Sequence, residues 1–251
     1  MKKIAVILVL SHTLLVATAY ADCEPHLSLG APVLLENNNL TKLCYSGYSV
    51  GFDSDLKVPR WVAYRSTPAT IRPYIDREGF SFKKDPNIAE QRQASGRDYY
   101  RSGYDRGHLA PAAAMDFSAK AIKESFYYSN VAPQKPGLNR KGWLAIEKKV
   151  RKWVYQYGVI FSVVGTVFDA PEIAQRINNK IAIPDSFYYA IYSPKQKKGV
   201  AYLLPNKKVS ARNIDKYKIS INELEAITNI DFFPLLPDAL EGKIENYRKI
   251  Q

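Results

Sequence analysis

Six stretches rich in β-branched and aromatic residues, at 45–52, 61–64, 158–168, 180–183, 187–192 and 200–204, are each bounded by Pro, Gly, Asp or Asn. That punctuation marks β-strands. Helical patterns fall between or after these strands, at about 119–127, 139–157 and 220–228. The regular strand-helix alternation that builds a parallel sheet is missing, so the pattern predicts an α+β fold with a mainly antiparallel central sheet flanked by helices. The last helix opens on Ser220-Ile221-Asn222-Glu223, a capping box. No internal repeat, low-complexity tract or Pro/Gly/Ser linker divides the chain, and one domain is expected. Residues 71–101 differ from the rest: rich in Arg, Lys, Asp and Pro and without periodicity, they read as long surface loops. The tyrosine pairs Tyr99-Tyr100, Tyr127-Tyr128 and Tyr188-Tyr189 suggest base stacking, but packing on a half-buried sheet or helix accounts better for the last two pairs.

The N-terminus combines Lys2 and Lys3 with an apolar stretch at 4–16 and then Ala19-Tyr20-Ala21. This is the pattern of a signal peptide, 1–21, cleaved after Ala21, and it implies a periplasmic or extracellular protein. The alternative is an uncleaved anchor, but the stretch is short and interrupted by Ser11 and His12. No later segment is long and apolar enough to span a bilayer, so no membrane partner is expected. Cleavage leaves two cysteines, Cys23 and Cys44, without C-x-x-C neighbours. In an oxidising compartment they suggest one disulfide tying a lead segment, 22–48, to the body; two free thiols are the alternative. The charge of +12 falls to +10 without Lys2 and Lys3, with 34 basic against 24 acidic side chains. Such a charge favours polyanions, whether nucleic acid, acidic polysaccharide or anionic membrane, and does not choose among them.

Of three histidines, His12 lies in the leader, which leaves His26 and His108 as side chains with an ordinary pKa of about 6.5, suited to proton transfer near neutrality. His108 stands in Tyr104-Asp105-Arg106-Gly107-His108-Leu109-Ala110-Pro111. If that run is extended, Arg106 and His108 project to one face, and Gly107 leaves room for close backbone approach. A base and a cation facing one target suit attack on a phosphodiester, with His108 deprotonating water and Arg106 holding a non-bridging oxygen. A purely structural histidine is the alternative.

Downstream, Pro133 and Pro136-Gly137 force an irregular connection before a helix that begins near Asn139. Asn139, Trp143 and Glu147 follow at single-turn spacing and form a loose row. The Asn139 carbonyl oxygen is an acceptable ligand for Mg²⁺, which keeps several waters where few protein ligands are offered. One neutral oxygen discriminates poorly between Mg²⁺ and Mn²⁺. Glu147 lies roughly 12 Å along a helix that rises ~1.5 Å per residue, so it reaches such an ion through water. Taken singly, Asn139 also reads as a helix cap, Trp143 as core and Glu147 as the i+4 partner of Arg151.

In combination these residues make the chain resemble the DNA/RNA non-specific endonucleases with a ββα-metal site, the Serratia nuclease type. The likeness rests on Asp105-Arg106-Gly107-His108 with Leu109-Ala110-Pro111, on Ser129-Asn130 with Pro133-Gln134, and on Leu138-Asn139, Trp143 and Glu147. Weaker echoes at Trp61-Val62-Ala63-Tyr64, Ile183-Pro184 with Phe187-Tyr188, and Leu204-Pro205-Asn206 extend it over roughly 45–240. The resemblance implies an endonuclease domain at 49–251 that hydrolyses DNA and RNA with a divalent metal and leaves 5′-phosphates. It implies His108 as general base, Asn139 as direct metal ligand and Glu147 as organiser of metal-bound water. Arg106 would contact phosphate, with Asp105 and Asn130 as supporting polar groups. The chain departs from the pattern upstream: near Phe82-Lys83-Lys84-Asp85-Pro86 the position of the family's second arginine holds another residue. Arg77 is the nearest candidate for that phosphate contact, with Arg72 or a lysine as alternatives. Two further readings are a phosphodiesterase acting on small or lipid esters, and a nucleic-acid-binding protein without catalysis. No motif sets an oligomeric state.

Overall fold

Strand β10 (Ser186–Ser193) shows how the sequence builds the centre of the molecule, because its residues after Ser186 are all buried and alternate between two cores. Phe187, Tyr189 and Ile191 pack on one face of the sheet with Trp143, Ile146 and Val150. Tyr188, Ala190 and Tyr192 pack on the other with Ile221, Leu224, Phe232 and Phe233. A strand covered on both faces reads as a continuous apolar run, which is why 158–168 and 187–192 show little alternation.

The computed structural model describes residues 23–35, 39–72 and 75–244; the predicted leader 1–21 lies outside them. In chain order the strands preceding the ribbon are β1 (Val33–Leu34), β2 (Thr41–Cys44), β3 (Ser49–Asp53) and β4 (Val58–Ser66). The ribbon is β5 (Asp105–His108) and β6 (Val131–Gln134), followed by β7 (Ile160–Val167), β8 (Arg176–Ile177) and β9 (Ile181–Ala182). After β10 come β11 (Lys198–Pro205), β12 (Lys218–Ile219) and β13 (Ile230–Asp231). Seven of them form one sheet in the order β12-β11-β10-β7-β4-β3-β2, antiparallel at every joint. The α+β expectation and the antiparallel central sheet are therefore both found.

Three elements differ from their sequence pattern. The run 45–52 is not one strand: a turn, with the Tyr45 N–H donating to Tyr48 O at 2.8 Å, separates β2 from β3. Tyr45 and Tyr48 pack against each other with centroids 4.8 Å apart and rings tilted by 33°, and both phenols reach inward, to Asp85 and to the Glu124 carbonyl. The run 180–183 holds only the two-residue strand β9, which pairs with β8 in a short ribbon apart from the large sheet. The helix predicted at 139–157 starts as a π turn, Leu138–Trp143, and becomes α-helical over Leu144–Tyr157. By contrast Ser220 caps its helix as read, accepting from the Glu223 N–H at 3.1 Å while the Glu223 carboxylate accepts from the Ser220 N–H at 2.7 Å.

The lead segment is fastened by more than its cysteines. Cys23 and Cys44 form a disulfide with Cα atoms 5.6 Å apart, and Cys44 ends β2, the edge strand of the large sheet. β1 pairs with β13 near the other end of the chain. On the face carrying Trp143, the β5-β6 ribbon and the long helix pack side by side, an antiparallel pair followed by a helix.

Candidate active site

β5 is a four-residue strand with His108 opposite Val131 and Asp105 opposite Gln134. Strand alternation places Arg106 and His108 on one side, where both meet Phe82: the imidazole centroid lies 4.8 Å from its ring and the guanidinium 4.7 Å above it. Gly107 faces the other way. A Cβ there would stand 2.3 Å from Gln134 Oε1, so the close approach that demands glycine is a neighbouring side chain. Behind the strand Asn130 is fully buried and clamps the chain that follows it. Its Oδ1 accepts from Ala110 N at 2.8 Å, and its Nδ2 donates to the carbonyls of Ala110 and Ser125 at 2.9 and 2.8 Å. Asn130 thus supports the site from below without lining it.

The imidazole of His108 is held by contact more than by hydrogen bonds, with Phe126 edge-on at 4.9 Å and its Nε2 without a partner among the described residues. Burial, reinforced by the charges of Arg77 and Arg106, pulls its pKa down to about 4. His108 is therefore neutral at pH 7, the form that accepts a proton. The Trp143 indole N–H donates to the His108 carbonyl at 3.2 Å and ties the strand to the helix.

Asn139 is the second residue of the π turn, and the cap position before that turn is held by Gly137. Its Nδ2 donates to Asp105 Oδ2 at 3.0 Å, and Asp105 also receives Arg140 through Nε at 2.8 Å and Nη2 at 2.6 Å. An ionised carboxylate only accepts, so it selects the amide end of Asn139 and turns the carbonyl oxygen away from itself. Burial alone would raise the Asp105 pKa; the bonds from Arg140 and Asn139 outweigh it and hold the group ionised.

The π turn explains how Asn139 and Glu147 share a site. Along an unbroken α-helix eight residues rotate the chain about 80° beyond whole turns. The wider i→i+5 turn takes back part of that rotation and brings both residues to one cavity of about 600 Å³. Gly137 and Gly142 let residues 208–209 close against this turn; a Cβ on Gly142 would stand 2.7 Å from Val209 Cγ1. Trp143 does not join the row that its spacing suggests. It is fully buried between Phe187 and Tyr189, as expected of a large apolar ring facing a sheet.

His108, Asn139 and Glu147 line this cavity together with Arg77, Asp116 and Tyr64. Arg77, an exposed residue of the loop region, thus stands at the site, whereas Arg72 is not among the lining residues. Arg106 and Asp105 line an adjoining groove that shares Asn139 and Arg140 with the cavity. The two halves of the site meet at Asn139. Burial pushes the Glu147 carboxyl up to about 8, partly opposed by Arg77. Its expected partner Arg151 instead donates to the carbonyls of Ala113 and Ile71. Sequence reading missed Asp116, which is buried, whose Oδ1 has no hydrogen-bond partner among the described residues, and whose pKa is raised by burial against the pull of Arg151 and Arg77. Its local sequence carries no signal; only the folding of its segment over the long helix brings it here.

The donor set suits a hard cation that keeps most of its water. Among the described residues no three His, Cys, Asp or Glu side chains gather as a cage. What the cavity offers is a fixed amide oxygen from Asn139 and a carboxylate on Glu147 that burial disfavours as a lone anion. Oxygen donors of this kind fit Mg²⁺ or Mn²⁺.

Residues 28–239 match the family model of the DNA/RNA non-specific endonucleases. The human mitochondrial nuclease EXOG is 31% identical over 209 residues, which cover 77% of this chain and 57% of EXOG, so the chain spans little more than half of that relative. Human mitochondrial endonuclease G is 30% identical over 74% of this chain and 67% of its own. Nuclease C1 of Cunninghamella echinulata var. echinulata is 26% identical over 78% and 84%. A chain in the crystal structure of the EndoG/EndoGI complex superposes with a TM-score of 0.78 at 27% identity, covering 86% of this chain and 93% of its own. With a family model matched over residues 28–239 and the fold shared with the EndoG/EndoGI structure, the chain belongs to the DNA/RNA non-specific endonuclease family.

Proposed function

We propose that the protein is a metal-dependent endonuclease that hydrolyses phosphodiester bonds of DNA and RNA without sequence preference. The observation that carries this reading is the meeting, in one cavity, of a neutral His108 whose Nε2 has no partner among the described residues, the carbonyl of Asn139 turned from Asp105, the carboxylate of Glu147 and the guanidinium of Arg77. His108 takes the proton of an attacking water. Arg106 and Arg77 hold the non-bridging phosphate oxygens from two sides, fixed charges that need no rearrangement as the phosphorane charge develops. Asp105 keeps Asn139 turned, and Asn139 with Glu147 would hold the ion. Bound Mg²⁺ or Mn²⁺ supplies Lewis-acid stabilisation of charge on the phosphate and leaving oxygens. Because the nucleophile is water, no ribose 2′-hydroxyl is needed, which supports action on both nucleic acids. Phosphate contacts by arginine carry no base information, which supports the lack of sequence preference.

Export completes the proposal. The leader pattern at 1–21 and the Cys23–Cys44 disulfide support a periplasmic or extracellular enzyme, whereas the names of the animal relatives place those proteins in mitochondria. The decisive experiment is incubation of the mature protein with supercoiled plasmid and with RNA, with Mg²⁺ and with excess chelator. Degradation of both substrates, stopped by chelator, is expected. Cleavage that persists in chelator, or that yields discrete sequence-specific fragments, refutes the reading.

A further inference from the structure

The pair Tyr99-Tyr100 divides in the structure. Tyr99 is buried and stacks on Tyr128 with centroids 6.0 Å apart and rings inclined by 16°. Tyr100 turns outward and is 66% exposed. The loop that presents it is braced: Ser102 Oγ donates to the Tyr99 carbonyl at 2.9 Å and accepts from the Tyr104 N–H at 3.2 Å. Tyr100 has no core to fill. It lines the groove of about 680 Å³ that adjoins the catalytic cavity at Asn139 and Arg140.

Phe82, Tyr100 and Tyr104 line that groove with Arg101, Arg106 and Arg140, and each of these three rings has a cation beside it. The Arg101 guanidinium lies 5.1 Å from the Tyr100 ring, Lys135 Nζ 3.8 Å from Tyr104, and Arg106 4.7 Å from Phe82. Aromatic faces interleaved with cations form the usual platform for an unpaired strand, the rings taking bases and the cations following the phosphates. A base inside a duplex already has a neighbour on each face, so an exposed ring adds little to duplex binding. An unpaired base has a free face to offer.

We propose that this groove is a subsite for an unpaired nucleotide flanking the cleaved phosphate, with its base stacked on Tyr100, so that single-stranded nucleic acid is held more tightly than duplex. The proposal rests on the nuclease reading above. Arg106 then serves two neighbours, the reacting phosphate on the His108 side and the strand leaving along the groove. Arg101 covers one part of the Tyr100 ring and lies where the next phosphate would pass.

The test uses the full mature chain. Fluorescently labelled oligo-dT and a duplex of equal length are titrated, in chelator, onto His108→Ala protein, whose cleavage is expected to be suppressed, with and without a second change at Tyr100. Tyr100→Ala is expected to weaken oligo-dT binding about tenfold while duplex binding changes less than about twofold. Tyr100→Phe is expected to bind both as the parent does, since stacking needs the ring and not the hydroxyl. Equal losses on both ligands, no loss on either, or a Phe variant as weak as the Ala variant overturns the subsite while plasmid cleavage by the unmodified protein leaves the nuclease reading standing. Absence of both cleavage and binding in the unmodified protein overturns the reading and the subsite together.

Discussion

The strand half and the helix half of the site are held in opposite ways. His108 sits on a four-residue strand, wedged between the rings of Phe82 and Phe126, and its Nε2 has no hydrogen-bond partner among the described residues. Asn139 sits on a π turn and is oriented by a charged network of Asp105 and Arg140. The difference matches the roles proposed for the two residues. A general base needs a lone pair free of partners on a neutral ring, and the packing of Phe82 and Phe126 holds the imidazole without tying up Nε2. A metal ligand needs one atom aimed and the other end fixed, which a carboxylate supplies.

Removing the base should produce the largest effect. His108→Ala is expected to lower kcat by at least about 100-fold, the lower end of what a positioned acid/base contributes, with nucleic-acid affinity nearly kept. His26→Ala should change little. A His108→Ala enzyme with ordinary turnover, measured on plasmid with Mg²⁺, would show that the strand half is only scaffold.

The helix half should respond through the metal. Asn139→Ala is expected to abolish most cleavage and leave the melting temperature nearly unchanged, since Gly137 and not Asn139 holds the cap position of that helix. Asp105→Asn can hold Asn139 in either orientation and should cost about 10- to 100-fold in metal affinity, as loss of a partner behind a ligand does. Mg²⁺ titrations of cleavage rate separate the two: rates that fail to recover at high Mg²⁺ in Asp105→Asn would indicate a role other than aiming Asn139.

The smallest effect sharpens the contrast in charge. Glu147 has a folded-state pKa raised to about 8, so its contribution to stability is fully present below its unfolded value near 4.5 and is lost as pH rises through about 8. His108 runs the other way: its folded pKa of about 4 lies below 6.5, so its contribution is present above 6.5 and is lost as pH falls through about 4. Without metal, Glu147→Gln is therefore expected to raise the melting temperature by a few degrees at pH 8 and not at pH 4. It should lower activity about tenfold, less than Asn139→Ala, because glutamine keeps a carbonyl acceptor. A melting temperature that falls at pH 8 would place a stabilising partner on the carboxylate.

Much of the site was legible because its logic is short-range. The extended Asp105–His108 run puts Arg106 and His108 on one side by alternation alone, and the Ser220 capping box depends on residues three apart. Arg77 was legible only as the nearest arginine, because nothing local distinguishes it from Arg72; the path of the loop over the cavity separates them. Asp116 had no signal at all. The tyrosine pairs show the same limit, since identical dipeptides end as two buried rings at Tyr188-Tyr189 and as one buried and one exposed at Tyr99-Tyr100.

By itself, then, the sequence determined the class of elements, the antiparallel character, the disulfide partners and the chemical types in the site. These follow from periodicity, caps and residue chemistry, all of which act over a few residues. Tertiary structure alone decided that the sheet is covered on both faces, that the helix entry unwinds into a π turn and that Asp105 turns the Asn139 amide. Asp105 and Asn139 are 34 positions apart, and no local preference orients one toward the other. Only the packing of ribbon against helix, through Trp143 and the buried clamp of Asn130, brings them within hydrogen-bonding distance.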